Sequence, residues 1–156
     1  MKGKMIIFGA VACAWAMGAT ATAADVTAGT WKLNAAKSKY VPATQARYET
    51  VTIETAGDNM KVTLDGTDSA GKKVHAEWTG KYDGKDYPVT GSPDLESLAY
   101  RRVNDRSYQV TGKRGGKTVT STKIVYSADG KTRTVTSRGT NAKGQRTSST
   151  AVYDKQ

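Results

Sequence analysis

From Tyr48 onward the chain alternates apolar and polar residues with a period of two. Val51 and Ile53 share one side of a run whose other side carries Thr52 and Glu54. The same alternation sets Met60, Val62 and Leu64 against Lys61 and Thr63, and Val74, Ala76, Trp78 and Tyr82 against His75, Glu77 and Lys81. Tyr108 and Val110 stand likewise against Gln109 and Thr111. Successive side chains of a strand point to opposite faces, so this is how half-buried antiparallel strands read. Turn signals separate the runs: Ala56-Gly57-Asp58-Asn59, Ser69-Ala70-Gly71-Lys72, Asp83-Gly84-Lys85, Asn104-Asp105-Arg106, Gly115-Gly116-Lys117, Ala128-Asp129-Gly130-Lys131 and Ala142-Lys143-Gly144-Gln145. Gly and Asn supply the positive φ that tight hairpins require.

The pattern predicts eight to nine strands, at about Gly29 to Leu33, Tyr48 to Thr55, Met60 to Thr67, Lys73 to Tyr82, Ser97 to Val103, Tyr108 to Lys113, Thr118 to Ser127, Thr132 to Thr140 and Arg146 to Tyr153. Parallel strands need long crossovers that the short connectors exclude, so the expected fold is all-β, an antiparallel up-and-down meander. Closure into a barrel removes its edges. Asn34 to Ala46, with Pro42, and Val89 to Leu98, with Pro93, read as irregular connections able to carry a helical turn or a lid. After Lys117 the phase is open, because Val119 and Val125 fall on one face and Ile124 and Tyr126 on the other. A membrane-spanning barrel needs a continuous apolar outer band, and the last strands carry Lys or Arg on either face.

The first residues read differently. Lys2 and Lys4, the apolar stretch Met5 to Met17 and the small-x-small sequence Ala21-Thr22-Ala23 form a signal peptide, expected to be cut after Ala23. Residues 1–23 are thus the leader and 24–156 a single β-barrel domain, periplasmic or secreted. The apolar run is too short to span a bilayer, and no other stretch is a transmembrane candidate. Cys13 lies inside it, but Ala10-Val11-Ala12 is not the Leu-x-small context of a lipoprotein, and apolar residues continue beyond it. With Cys13 removed the domain has no cysteine and no disulfide.

The remaining 133 residues suffice for one core. They contain no Phe, only four Leu and two Ile, with abundant Val, Thr and Tyr, which suit a pleated surface. Charge is uneven. Residues 25–99 hold 9 Lys+Arg and 11 Asp+Glu, and residues 100–156 hold 13 Lys+Arg and 3 Asp. The basic second half would attract anions in a salt-dependent way, and its bland reading is a set of solvated strand positions.

The run Gly29-Thr30-Trp31-Lys32-Leu33 resembles the Gly-x-Trp start of the lipocalin and fatty-acid-binding barrels. The resemblance implies a lipocalin-like β-barrel in which a first-strand Trp closes one end. Three segments, Lys37 to Tyr40, Tyr82 to Gly91 and Ala151 to Gln156, are similar to a group of secreted bacterial proteins of unknown function, a likeness that brings no activity with it. Departures from the barrel families are the missing Thr-Asp-Tyr-type motif, the missing C-terminal helix and the lack of space for paired helices after the first strand. The resemblance therefore implies the barrel more than a lipid cargo.

Candidate chemistry is sparse. His75, the one histidine, stands two residues before Glu77 on a polar strand face, without the further ligands or partners that a zinc site or acid–base pair needs. Asp65, Asp68, Asp83 and Asp86 sit near turns, where Asp caps backbone. There is no Gly-x-Ser-x-Gly, no GxxxxGK[ST] and no GxGxxG opening a helix, so no catalytic residue, metal or nucleotide cofactor is expected and the chain does not read as an enzyme. Trp31, Trp78, Tyr82, Tyr100 and Tyr108, with Val62 and Leu64, are expected either to line an apolar cavity or to fill a core short of Phe and Leu. Arg101 and Arg102 fall on opposite faces, so one points inward or to a barrel end. Arg102 joins the expected lining set, held by an internal carboxylate or by a ligand's head group. Two functions follow: an exported carrier of a small amphipathic or apolar molecule, or an envelope interaction module with a filled core whose basic half docks on anionic polymers, lipid head groups or a protein. Export makes nucleic acid an improbable partner.

Overall fold

The computed structural model describes residues 25–156. The expected signal peptide, with Cys13 and the expected cleavage point, lies outside the described residues. Eleven strands form one antiparallel sheet: β1 (Gly29–Leu33), β2 (Lys39–Val41), β3 (Arg47–Ala56), β4 (Asn59–Thr67), β5 (Lys73–Lys81), β6 (Asp83–Thr90), β7 (Ser97–Asn104), β8 (Ser107–Arg114), β9 (Lys117–Tyr126), β10 (Thr132–Thr140) and β11 (Arg146–Lys155). The sheet closes because β1 pairs with both β3 and β11. β2 pairs with β11 beyond β1, at Lys39↔Thr150 and Val41↔Ser148. β1 and β2 thus act as one stave interrupted by the 3-10 turn Ala35–Lys37, and the molecule is a ten-stave, lipocalin-like barrel.

The expected class holds, and the strand count rises from eight or nine to eleven. The two extra strands are β2 and β6. β2 has three residues and ends at Pro42. β6 covers Asp83-Gly84-Lys85, expected as a turn, and reaches Thr90, inside the segment expected as an irregular connection. It has no alternating apolar set. Val89 is its only buried residue, and Pro88 removes a backbone donor. Between β5 and β6 the register pairs are only Glu77↔Thr90 and Trp78↔Val89.

One end of the barrel is filled. Trp31 is fully buried, its indole Nε1 donating to the Thr27 carbonyl at 3.0 Å, and Thr27 is itself 1 % exposed. Asp25 accepts from the Thr27 hydroxyl at 2.6 Å, and that hydroxyl is 3.1 Å from the Tyr82 phenol. From Trp31 an aromatic series runs inward through Tyr126, Tyr108, Tyr82 and Tyr100 to Trp78, with neighbouring ring centres 4.5 to 6.4 Å apart. Trp31 therefore seals this end, as the Gly-x-Trp resemblance implies. Ile124 and Tyr126 face inward, while Val125 is exposed, which settles the phase of β9.

Candidate functional site

Above the aromatic end lies a cavity of about 340 Å³, open toward the loops at the other end of the barrel. One wall is apolar: Val51 from β3, Val62 and Leu64 from β4, Val89 from β6, Leu98 from β7 and Val110 from β8. The other wall comes from β9, β10 and β11 and changes with depth, because their inward residues pair in rows. Tyr126, Arg133 and Tyr153 form the deepest row. Ile124, Val135 and Ala151 come next, then Thr122, Ser137 and Ser149, then Thr120, Gly139 and Thr147 nearest the mouth.

Arg133 is the unusual member. It is 5 % exposed, and among the described residues no carboxylate lies within ion-pair distance of it. The guanidinium sits 4.6 Å from the Tyr153 ring centre and 5.5 Å from that of Trp31, so its faces are held by cation–π contact. Its Nε has no hydrogen-bond partner among the described residues. A buried cation with a free donor is costly unless something anionic completes it. Burial raises the phenol pKa values of Tyr126 and Tyr153, Arg133 pulling the other way, so both stay neutral and neither supplies that charge. Tyr153 spends its hydroxyl on the Tyr48 carbonyl at 2.8 Å.

The mouth is bordered by the loop between β6 and β7. Gly91 opens it at φ +75°, where a Cβ would also lie 2.0 Å from the His75 carbonyl oxygen. Leu95 dips back over Gly112, where a Cβ would meet Leu95 Cδ2 at 2.8 Å. Arg114 ties the loop to the β10–β11 hairpin, its Nη1 donating to Asp94 O and its Nη2 to Asn141 O, both at 2.9 Å. The Ala142 amide donates to the Asp94 carboxylate at 2.9 Å.

Of the residues expected to line a cavity, Val62, Leu64 and Tyr100 do so. Trp31, Tyr82 and Tyr108 pack in the sealed end, and Trp78 lies beneath Tyr100 with its Nε1 donating to the Leu98 carbonyl at 3.1 Å. The core is thus filled at one end and hollow at the other. Arg102 is not inward. Its side chain is 54 % exposed and pairs with Asp105 at 3.0 Å, since β7 runs out of the barrel at that height. The inward arginine is Arg133, which the sequence reading missed. Its signal was present: Arg133 stands two residues before Val135, hence on the same face, and Thr134 and Thr136 lie on the other.

His75 lies on the outer wall with its Nδ1 2.6 Å from Asp65 and its Nε2 3.6 Å from Glu77, which pairs with Lys61 at 3.2 Å. The hydrogen bond to Asp65 raises the imidazole pKa above 6.5. The charged form therefore adds stability below that value, and the contribution fades as pH rises through the raised pKa. A proton NMR titration should place His75 above 6.5, and Asp65→Asn should bring it back down. The remaining turn aspartates cap backbone: Asp68 accepts from the Ala70 and Lys72 amides, and Asp83 from Lys85. Asp86 pairs with Lys113 at 2.6 Å.

The basic half of the sequence forms an outer belt. The register Arg101↔Gln109↔Lys123↔Thr136↔Thr150↔Lys39 crosses six strands with no acidic residue, and Arg138 stands in the adjoining row between Ser121 and Ser148. None of these four cations is in an ion pair with a described residue. No helix among the described residues is long and apolar enough to cross a membrane. No protein-family model matches the chain, and no curated protein matches it either.

Proposed function

We propose that this barrel is an exported carrier for a small amphipathic acid, held with its acidic group on Arg133 and its apolar part along Val51, Val62, Leu64 and Val89. Arg133 carries the reading: a nine-tenths buried guanidinium beside a cavity, with an unpartnered Nε and no carboxylate of its own. A ligand carboxylate would complete it through short charge-assisted hydrogen bonds. The apolar wall supplies area for the rest of the ligand. No chemical step belongs to this role, since His75 and its carboxylates lie on the outside of the barrel. Export is supported by the leader-like residues 1–23.

The outer belt favours a second reading, docking on an anionic envelope polymer through Arg101, Lys123, Arg138 and Lys39. One preparation tests both. Residues 24–156 purified from the periplasm are examined by native mass spectrometry, then by displacement of an apolar fluorescent probe with dodecanoate. A stoichiometric acidic adduct, or displacement by dodecanoate and not by dodecylamine, is the expected result. A clean apo mass with no probe uptake would overturn the carrier role, and polymer binding that falls steeply with salt would then favour the belt.

A further inference from the structure

The two walls of the cavity differ in chemistry. Thr122, Ser137 and Ser149 form a row of hydroxyls on β9, β10 and β11, with Thr122 Oγ1 and Ser137 Oγ 2.8 Å apart. The row is bordered by the Tyr40 phenol on β2 at one end and by Val110 and then the Tyr100 phenol at the other. Across the barrel, β4 and β6 present only the aliphatic side chains of Val62, Leu64 and Val89 to the cavity, so the hydroxyls belong to one wall. Thr120 and Thr147 extend the same wall by one row.

Depth separates this wall from Arg133. Ser137 is four residues along β10 from Arg133, about 13 Å at ordinary strand rise. The row between them, Ile124, Val135 and Ala151, offers no hydrogen bond from a side chain. Three levels thus stack along one side: a cation, an apolar layer, and hydroxyls that both donate and accept. A plain alkyl acid would satisfy the first two and lay bare methylenes against the third, displacing water from hydroxyls without replacing its hydrogen bonds.

Building on the carrier reading above, we infer that the preferred ligand is polar at both ends: an acid whose short apolar middle leads to a hydroxyl or similar hydrogen-bonding group about 13 Å from the acidic head. Thr122, Ser137 and Ser149 select that distal group, and the apolar wall opposite takes the ligand's other edge.

The test is calorimetric titration of the mature chain with dodecanoate and with its ω-hydroxy derivative, repeated on a Thr122→Val/Ser137→Ala double variant. Both changes are small, and neither residue contacts the sealed end, so the barrel is retained. The hydroxy acid should bind roughly three- to tenfold tighter than dodecanoate, the range one net hydrogen bond gives. The double variant should cancel that preference, the hydroxy acid binding more weakly and dodecanoate somewhat tighter once no hydroxyl is left dry beneath its chain. Equal affinities in the unmodified protein, or a preference that survives in the double variant, would overturn the inference and leave the carrier role standing. If neither acid binds, the carrier role fails and the inference with it.

Discussion

Arg133→Met should leave the barrel as stable as before, or up to about 2 kcal/mol more stable, while weakening an acidic ligand by at least about thirtyfold. The two effects have opposite signs because they belong to different states. In the empty barrel the guanidinium gains from the faces of Tyr153 and Trp31, each contact contributing about 0.5–2 kcal/mol. Against that stands the desolvation of a charge with no counterion and an idle Nε, which is of several kcal/mol. Methionine fills similar volume and removes both terms. In the filled barrel the same change removes the ligand's buried cationic partner, leaving Lys143 as a cation in the cavity lining. Urea unfolding and a dodecanoate titration, run side by side, measure the pair. A loss of stability beyond about 3 kcal/mol would mean that the arginine is held for structure.

Trp31→Ala should cost about 3–5 kcal/mol, a large share of a small domain's stability. The indole is fully buried, meets Tyr126 edge-on at 5.3 Å and anchors the Thr27 carbonyl. Its loss leaves a cavity at the sealed end and frees the segment Asp25–Thr27 that covers it. Trp31→Phe should cost less, about 1–2 kcal/mol, chiefly the unsatisfied Thr27 carbonyl. Denaturant melts followed by far-ultraviolet circular dichroism give both numbers, and near-equal values for the two variants would locate the effect in the hydrogen bond instead of the ring.

The strands were legible where one face is apolar. β1 and β10 begin and end where alternation and turn residues place them. β6 was not, because its pairing rests on neighbours in space and its own residues are mostly charged or exposed. The candidate site divides in the same way. Alternation tells that Trp31, Val62, Tyr100 and Tyr108 face inward, and all do. It does not tell how far along the axis each lies, which is set by the shear of ten staves against one another. Sealed end and cavity wall are therefore indistinguishable by period alone. Arg102 and Arg133 show the same limit. Both sit at inward-phase positions, but Arg102 lies where β7 leaves the barrel, and Arg133 lies between Tyr126 and Tyr153, well inside it.

The sparse ladder between β5 and β6 gives this closed sheet a preferred seam. With only two register pairs there, separating the strands breaks few backbone bonds, so slow amide exchange is lost first on either side of Trp78 and Val89. Once parted, β5 and β6 become unprotected edges, and the barrel turns from a shape without edges into a twisted open sheet. Heating the protein near its transition thus produces strand borders able to pair with a second copy, and aggregation would begin at this seam while Trp31 still holds the far end shut.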